Sequence, residues 1–539
     1  TNVMSNDLMG LTVVYDENEV FYDVGVHLQG SERGRNSSGR VGFTVRFHED
    51  QLFRGTQRSL VIDRSGGYSG LGGRHDEILL WHALNHAGGG VLGIECDLVQ
   101  VFAPRSQEHG TGLLRLAAFN NDYFDSQFPD GGAGARYMME LIYYPQKTLV
   151  DGDPQSPKLP QPDEVINISF QDWGDDAENY RWIFLQENHA DRDDYRDIIA
   201  LNQAFSLTGA DFETQLRQRT DVDQWMRTLA FKVLNGDVDT YTLGLNHNWK
   251  IYFRPEDGRA LGLLWDMDHA FMQSVSAGFP GGSCPNTHRF IKRPDHYRRY
   301  YHHLLDLVTT TMNAAHLGPW AAHYAGLLGQ NWSGAVNYIQ QRGDYVRSTM
   351  PPPARFAITS NGGKNFAATN DPVTLTGTAP LTVQTIEVNG VRSPVTWTSL
   401  TNWTLTAPLP GFVNLLSLQG VDPRGNPLTN SLAAITVTNL GPARPAPVVI
   451  NEWMAANAGP GGFADPADGL FQDWFELYNP NDVAVNLSGF HLTDKLSQPA
   501  KWPIPAGVVI APRGFLLVWA DGDTDQNGLG ADGDLHANF

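Results

Sequence analysis

Residues 245–268 read LNHNWKIYFRPEDGRALGLLWDMD, and this stretch decides the fold that we expect around the functional site. Two apolar runs flank the segment PEDG at 255–258, a combination of residues typical of a tight turn. The pattern therefore predicts a β-hairpin. With the turn centred on Asp257, paired residues have numbers that sum to 514, so that Trp249 faces Trp265.

The same register places four polar side chains on one face of the hairpin. Asn248 would face Asp266 and Asn246 would face Asp268, because side chains alternate with period 2 along a strand. Cross-strand neighbours lie about 5 Å apart, so two carboxylates and two amide oxygens can share one cation. Such a hard-oxygen set suits Mg²⁺ or Ca²⁺. Solvated or capping residues at a hairpin mouth would give the same pattern, and both interpretations stay open at this stage.

Length and charge limit the class of protein. The chain has 539 residues, enough for three or four domains at roughly 150 residues each. Its net charge of −21 would repel phosphates and argues against a nucleic-acid partner. No run of about 18 apolar residues occurs, so we predict no transmembrane segment. Cys96 and Cys284 allow either one disulfide or two free thiols.

The sequence pattern changes twice and predicts a multidomain chain. Residues 1–350 mix strand patterns with helical ones, such as Glu77–His86 and Val222–Leu234, and predict an α+β domain. Residues 354–445 carry Thr- and Val-rich strands separated by turns, which predict an immunoglobulin-like sandwich that serves as a spacer. Residues 446–539 are again strand-rich, giving two all-β units in succession. We expect both chain ends to continue in a longer protein, and the low charge, abundant glycine and β modules favour an extracellular or cell-surface location.

Two further carboxylates, Asp237 and Asp239, lie between the apolar helix and the first hairpin strand. A loop aspartate beside a metal-binding Asn and Asp is the minimal set for phosphoryl transfer: one Asp orients or deprotonates a hydroxyl, and the others hold Mg²⁺ on nucleotide phosphates. Basic residues on a loop, Arg33 and Arg35, and on the next strand, Arg46, suit a triphosphate. A solvated basic loop in an acidic protein is the alternative.

Three segments of the chain resemble the CotH family of spore-coat protein kinases. They are DTY at 239–241, Asn248 followed by WDMD at 265–268, and YDVGVHLQGSERGR at 22–35. The resemblance covers roughly residues 10 to 350. It implies an atypical kinase fold that uses ATP with Mg²⁺ or Mn²⁺ to phosphorylate Ser or Thr on a protein substrate.

The resemblance also implies roles for individual residues. Asp239 would be the catalytic aspartate, with Asp237 beside it. The metal would be held by Asn248 and Asp266, with Asp268 close by. The side chains expected on the nucleotide side are Arg33, Arg35 and Arg46.

Two positions depart from the family pattern. Arg46 stands where the family usually has Lys, and the strand at 112–119 lacks the acidic residue that usually follows it. These departures favour a second hypothesis, a non-catalytic surface or matrix protein with a degenerate kinase fold. A metal-dependent hydrolase is the third. We interpret Glu77 as a first-turn residue that favours the helix dipole, and His247 and His269 as structural.

The C-terminal part resembles a lamin-tail domain from about residue 448 onwards. The matching segments are VINEWMAAN at 449–457, DWFELYNP at 473–480 and LSGFHLTD at 487–494. The resemblance implies an immunoglobulin-like sandwich that serves adhesion or targeting through a cell-surface or matrix partner. The segment DGDTDQNG at 521–528 is similar to a calcium loop, but its last glycine falls two places late and no glutamate closes it. A calcium site and a plain acidic turn both stay open.

Overall fold

The computed structural model describes the chain outside residues 1–4, 31–34, 36–40, 65–74, 104–110, 140–141, 144–164, 167–168, 182, 243–245, 281–283, 442–447, 460 and 532. The described residues form an α+β domain followed by two all-β units, which confirms the predicted fold class. Within this part of the chain, no helix is long and apolar enough to cross a bilayer. Cys96 and Cys284 are both free thiols.

An antiparallel six-stranded sheet forms the first layer of the α+β domain. Its strands are β1 (Met9–Tyr15), β2 (Glu19–Gln29), β3 (Gly42–Arg46), β4 (Ser59–Asp63), β5 (Cys96–Val101) and β6 (Thr111–Ala117). They lie in the order β1-β2-β3-β4-β6-β5. One face buries its own cluster, which includes Val26, Val45 and Leu60, whereas Val61 and Leu116 on the other face join the main core.

The main core lies among helices and a second sheet. The helices are α1 (Glu77–Ala87), α2 (Asn121–Gln127), α3 (Glu178–Arg181), α4 (Arg196–Ser206), α5 (Gly209–Arg219), α6 (Val222–Asn235), α7 (Pro285–Ile291), α8 (Pro294–Thr310), α9 (Ala314–Leu328) and α10 (Ser333–Thr349), with a 3₁₀ turn at Gly131–Ala133. The remaining strands of this domain are β7 (Arg136–Met139), β8 (Ile142–Tyr143), β9 (Val165–Ile166), β10 (Phe184–Gln186), β11 (Trp249–Phe253) and β12 (Ala260–Leu264). The second sheet has the order β10-β7-β11-β12, so the hairpin lies at one side of it.

Helix α6 leads directly into the candidate site. Asp221 caps it by accepting a hydrogen bond from the Gln224 N–H at 3.2 Å. Trp225, Leu229 and Val233 are buried on the core-facing side. The predicted helix is therefore confirmed, with a capped start and a fixed end.

The hairpin forms, but its register differs by one residue from the prediction. Trp249 pairs with Leu264 rather than facing Trp265, so paired numbers sum to 513. The reason is the turn: Gly258 has a left-handed φ of +68° and donates its N–H to the Arg254 carbonyl at 2.8 Å, which leaves four residues between Arg254 and Arg259. The predicted facing pairs of Asn and Asp residues are consequently not ladder partners.

In the two following units, the described residues form β-strands and one 3₁₀ turn at Ser360–Gly363. The first has two sheets, β13-β15-β19-β18 and β14-β21-β20-β16-β17, that enclose one apolar cluster. Its strands are β13 (Ala357–Ile358), β14 (Phe366–Ala368), β15 (Val373–Thr378), β16 (Thr385–Val388), β17 (Val391–Ser393), β18 (Val395–Trp397), β19 (Asn402–Ala407), β20 (Val413–Val421) and β21 (Pro427–Asn439). This is the sandwich expected for an immunoglobulin-like spacer.

The C-terminal unit has one five-stranded sheet and two short strand pairs. Its strands are β22 (Val449–Met454), β23 (Asp473–Tyr478), β24 (Val485–Asn486), β25 (His491–Leu492), β26 (Trp502–Pro503), β27 (Val509–Ile510), β28 (Phe515–Ala520), β29 (Gly528–Leu529) and β30 (Leu535–His536). The sheet order is β22-β23-β28-β30-β29, and the pairs are β24-β27 and β25-β26. Its core is separate from the other clusters and includes Trp502, Ile510 and Val518.

Candidate metal and nucleotide site

The loop after α6 holds two of the predicted site residues in place. Asn235 Oδ1 accepts a hydrogen bond from the Asp237 N–H at 3.0 Å, and Asp237 Oδ1 accepts one from the Asp239 N–H at 2.8 Å. These two successive side-chain turns tighten the loop. Asp237 is buried, whereas Asp239 is half-buried. The geometry thus gives Asp237 a positioning role and presents the carboxylate of Asp239.

Gly236 starts this loop and has a left-handed φ of +67°, which ends α6. A Cβ at Gly236 would overlap the Tyr338 hydroxyl, whereas a Cβ at Gly258, which has nearly the same φ of +68°, would meet nothing within 4 Å. We expect Gly258→Ala to lower the free energy of unfolding by about 1 kcal/mol from backbone strain alone. Gly236→Ala should lower the free energy of unfolding by at least about 2 kcal/mol more than Gly258→Ala does, since the steric overlap with Tyr338 adds to the same backbone strain.

Thermal unfolding of the two glycine variants measures this difference directly. Because the φ angles of Gly236 and Gly258 are nearly equal, the difference between the two variants reports mainly on the contact with Tyr338. Equal unfolding midpoints for both would contradict the packing that fixes the loop.

Asp239 is flanked by two histidines. His247 Nε2 lies 3.5 Å and His269 Nδ1 lies 3.8 Å from Asp239 Oδ2. Burial alone would raise the pKa of Asp239, but the hydrogen bond from His247 and the charges of both histidines hold that pKa below its usual value. Asp239 is therefore an ionised carboxylate at neutral pH, able to accept a proton or orient a hydroxyl.

Asn248 and Asp266 lie just outside the hairpin ladder, and each has a left-handed φ of +54°. Such a conformation is uncommon for residues other than glycine, and it turns both side chains away from the strand alternation. Asn248 Nδ2 donates to the Asp239 carbonyl at 2.9 Å, which leaves its Oδ1 as the remaining acceptor. The fourth residue of the predicted set, Asn246, instead accepts from the Thr242 N–H at 3.1 Å.

Carboxylates crowd around Asp266. Burial raises the pKa of Asp266 well above its usual value, and the charges of Asp268, Glu77, Asp63 and Asp237 raise it further. Asp268 Oδ1 lies 2.7 Å from His269 Nδ1, and this hydrogen bond raises the pKa of His269. So many acids close together repel one another in the absence of a cation. The donor set fits a hard divalent ion such as Mg²⁺ or Mn²⁺.

Glu77 lies in the first turn of α1, as the sequence indicated, and it also belongs to this buried cluster. Helix α1 is buried on nearly all sides, and Glu77 Oε1 accepts hydrogen bonds from Trp81 Nε1 at 2.9 Å and from the Met267 N–H at 3.2 Å. Burial raises the pKa of Glu77 well above its usual value, and the charges of Asp63 and Asp268 add to this. Glu77 thus faces the hairpin segment rather than solvent.

Sequence reasoning missed Glu77 and Asp63, but two signals were present. Glu77 precedes the continuous apolar run ILLW at 78–81, so its helix has no solvent-facing side near its start. Asp63 closes the apolar strand β4. The strand at 112–119 indeed supplies no acid, and Arg115 there binds Glu95 at 2.8 Å. The additional acids of the cluster come from α1 and β4 instead.

Arg46, one of the arginines predicted to bind the nucleotide, lies away from the carboxylate cluster. Arg46 is exposed and pairs with Ser59 at the start of β4, whereas Asp63 ends that strand. Four extended residues separate these positions by about 13 Å. The structure therefore does not bring Arg46 next to the carboxylates.

The other two arginines, Arg33 and Arg35, fall in the sequence between β2 and β3. Arg35 donates to the Gly30 carbonyl at 2.7 Å, to the Ser5 carbonyl at 3.2 Å and to Asn6 Oδ1 at 2.8 Å. These bonds engage its guanidinium in local structure. Arg33 lies outside the described residues.

The acidic loop of the C-terminal unit forms successive side-chain turns. Asp521 Oδ1 accepts from the Asp523 N–H at 2.9 Å, Asp523 Oδ1 accepts from the Asp525 N–H at 2.9 Å, and Asp521 Oδ2 lies 2.9 Å from His536 Nδ1. These bonds account for the acidic turn, and calcium binding there stays a prediction.

Two family models match the chain. Residues 142–346 match the model described as CotH kinase protein, and residues 442–538 match the model described as Lamin Tail Domain. A search of curated proteins finds no match. The chain therefore carries a CotH kinase domain and a lamin-tail domain, with an all-β unit between them. The kinase match includes Asp239, Asn248 and Asp266, and it leaves the N-terminal six-stranded sheet outside the matched range.

Proposed function

We propose that the protein transfers the γ-phosphoryl group of ATP to a Ser or Thr hydroxyl of a protein substrate. The observation that carries this proposal is the pairing of one ionised aspartate, Asp239, with a crowded set of acids around Asp266. A catalytic base must be charged, whereas metal ligands gain from being clustered. Asp239 and Asp266 both lie within the residues that match the CotH kinase model, whereas Glu77 and Asp63 of the crowded set precede that range.

Each side chain has a distinct part in the proposed reaction. The acceptor hydroxyl oxygen attacks the γ-phosphorus, its proton passes to Asp239, and the bond to the bridging β,γ-oxygen breaks to release ADP. A divalent cation held by Asn248 Oδ1, Asp266 and Asp268 would supply charge neutralisation for the phosphates. His247 and His269 keep Asp239 oriented and ionised, while Asp237 fixes its backbone.

The experiment uses the full chain, γ-labelled ATP, Mg²⁺ or Mn²⁺, and casein as a general acceptor. We expect label on protein, and we expect Asp239→Asn to reduce the transfer rate by about 10³-fold or more while metal binding persists. Asp191→Asn, a change at an exposed aspartate, is the matched control and should leave transfer unchanged.

Two other outcomes are distinguishable. Release of free phosphate without labelled protein would indicate a metal-dependent hydrolase. No ATP binding at millimolar concentration would overturn the kinase proposal and favour the non-catalytic interaction protein, a hypothesis that the position of Arg46 supports.

We also propose that the protein acts outside the cell or at its surface. The lamin-tail domain would supply adhesion or targeting to a cell-surface or matrix partner, and the spacer would separate it from the kinase domain. Export of a tagged full chain, followed by fractionation of the host cells, tests this location.

A further inference from the structure

Three histidines from two helices converge away from the carboxylate cluster. His82 and His86 lie one turn apart on α1, and His316 lies in the first turn of α9. Each offers a ring nitrogen, and these three atoms all lie within 4.8 Å of one another. The rings of His82 and His86 are stacked, with centroids 4.3 Å apart. Such convergence brings three potential ligands of one ion together.

Hydrogen bonds do not explain why these three histidines lie together. His82 is 9% exposed, and its Nε2 has no hydrogen-bond partner among the described residues; the same holds for Nε2 of His316. A buried polar atom without a partner is unfavourable, so its presence in a folded protein calls for an explanation. Two such atoms in one cluster point to a bound group that accepts electron pairs.

A hydrogen bond to the backbone orients the ring of His86. Its Nδ1 lies 2.7 Å from the carbonyl oxygen of His82. A carbonyl can only accept, so Nδ1 carries the proton and Nε2 of the neutral ring keeps its lone pair. A backbone carbonyl that fixes the tautomer in this way is the usual support of a metal-binding histidine.

The surroundings of His82 and His316 disfavour the protonated form of these two imidazoles. Burial, together with the neighbouring His86 and His316, lowers the pKa of His82 to about 4. Burial and His86 also lower the pKa of His316. Trp320 packs against His82 with ring centroids 4.2 Å apart and restricts its rotation. Neutral, oriented imidazoles are the form that binds metal.

We propose that His82, His86 and His316 bind one transition-metal ion of the Zn²⁺ class. Imidazole-only sites favour Zn²⁺, Cu²⁺, Co²⁺ or Ni²⁺ over Mg²⁺ and Ca²⁺, which prefer oxygen ligands. His86 is exposed, so the site opens to solvent and a water molecule can complete the coordination. Bonds of about 2.0–2.1 Å bring the three nitrogens closer together through small side-chain rotations.

The ion would tie the C-terminal part of α1 to α9. Residue 77, at the other end of α1, lies about 13 Å from residue 86 along the helix axis. The histidine site is therefore separate from the carboxylate cluster, and its occupancy does not depend on whether the domain is an active kinase.

The test titrates the chelator-treated full chain with Co²⁺ in 10 mM Mg²⁺ and follows visible absorption, with calorimetry for Zn²⁺. We expect one equivalent to bind with a Kd of micromolar or below and to raise the unfolding temperature. His86→Ala, at an exposed position that should not disturb folding, and His316→Ala should each weaken binding about 100-fold. His323→Ala, an exposed histidine on the same helix, is the matched control and should bind like the unmodified chain.

Three results would overturn the proposal. They are binding with no fixed stoichiometry, a Kd in the millimolar range, and an unchanged Kd in His86→Ala when circular dichroism shows that this variant is folded. Retention of the Co²⁺ spectrum in Asp266→Asn would further place the ion at the histidines rather than at the carboxylates.

Discussion

Asp266→Asn is expected to abolish phosphoryl transfer while making the metal-free protein more stable. The substitution removes one member of a crowded carboxylate set, so repulsion from Asp268, Glu77, Asp63 and Asp237 is relieved. Without divalent metal at pH 7.5, the free energy of unfolding should rise by about 1 kcal/mol. Transfer should fall by about 10³-fold, because Asp266 is a metal ligand in the proposed reaction. Function at this site thus costs stability.

The pH dependence follows from the direction of the shifts. Carboxyl groups whose folded pKa is raised contribute stability at low pH, and this stability is lost as pH rises through the folded pKa. Burial raises the pKa of Asp237 to about 7, and it also raises the pKa of Asp266. The metal-free protein should therefore lose this contribution between about pH 5 and 8. Stabilisation by Mg²⁺ should grow over the same range, because protons and metal compete for the same oxygens.

Thermal unfolding with chelator and with Mg²⁺, at pH 5.5 and 8, measures these effects. The difference between the two conditions cancels contributions from distant histidines. In Asp266→Asn the rise in unfolding temperature on adding Mg²⁺ should be small at both pH values. Asp191→Asn should behave like the unmodified chain. A metal-free Asp266→Asn protein that is less stable than the parent would contradict the crowding of like charges.

The second large effect concerns the joint between the kinase domain and the spacer. Arg298 on α8 is 3% exposed and donates to the carbonyls of Pro380 at 2.6 Å and Val383 at 2.8 Å, as well as to that of Leu400. Its guanidinium also stacks on Trp397 at 3.5 Å. Arg298→Ala leaves three carbonyls without this donor and opens a gap. We therefore expect the free energy of unfolding to fall by about 3 kcal/mol or more.

Calorimetry of Arg298→Ala should show the spacer unfolding separately from the kinase domain, because this joint is one of the places where the two cores are coupled. Arg298→Lys keeps the charge but not the planar fork that reaches several acceptors, so it should rescue stability only in part. Arg196→Ala, at an exposed arginine of α4, is the control. A single unchanged transition in Arg298→Ala would show that the joint does not depend on this side chain.

Local patterns predicted the individual elements well. The helix at 222–235 follows from the spacing of its apolar residues, and the hairpin follows from its turn segment and apolar runs. The register was wrong by one because it depends on the φ of a single residue, Gly258. Because side chains alternate between the two faces of a strand, a shift of one residue places each side chain of the second strand on the opposite face from the one predicted.

The sequence by itself determined the order of the domains, the hairpin and the aspartates that precede and follow it. Only the tertiary structure decided which acids meet: Glu77 and Asp63 reach Asp266 from α1 and β4, which lie about two hundred residues earlier in the chain. It also decided that Arg46 lies away from them. The physical reason is that hydrogen bonding and apolar spacing act between near neighbours, whereas electrostatic environment arises from groups that packing brings together.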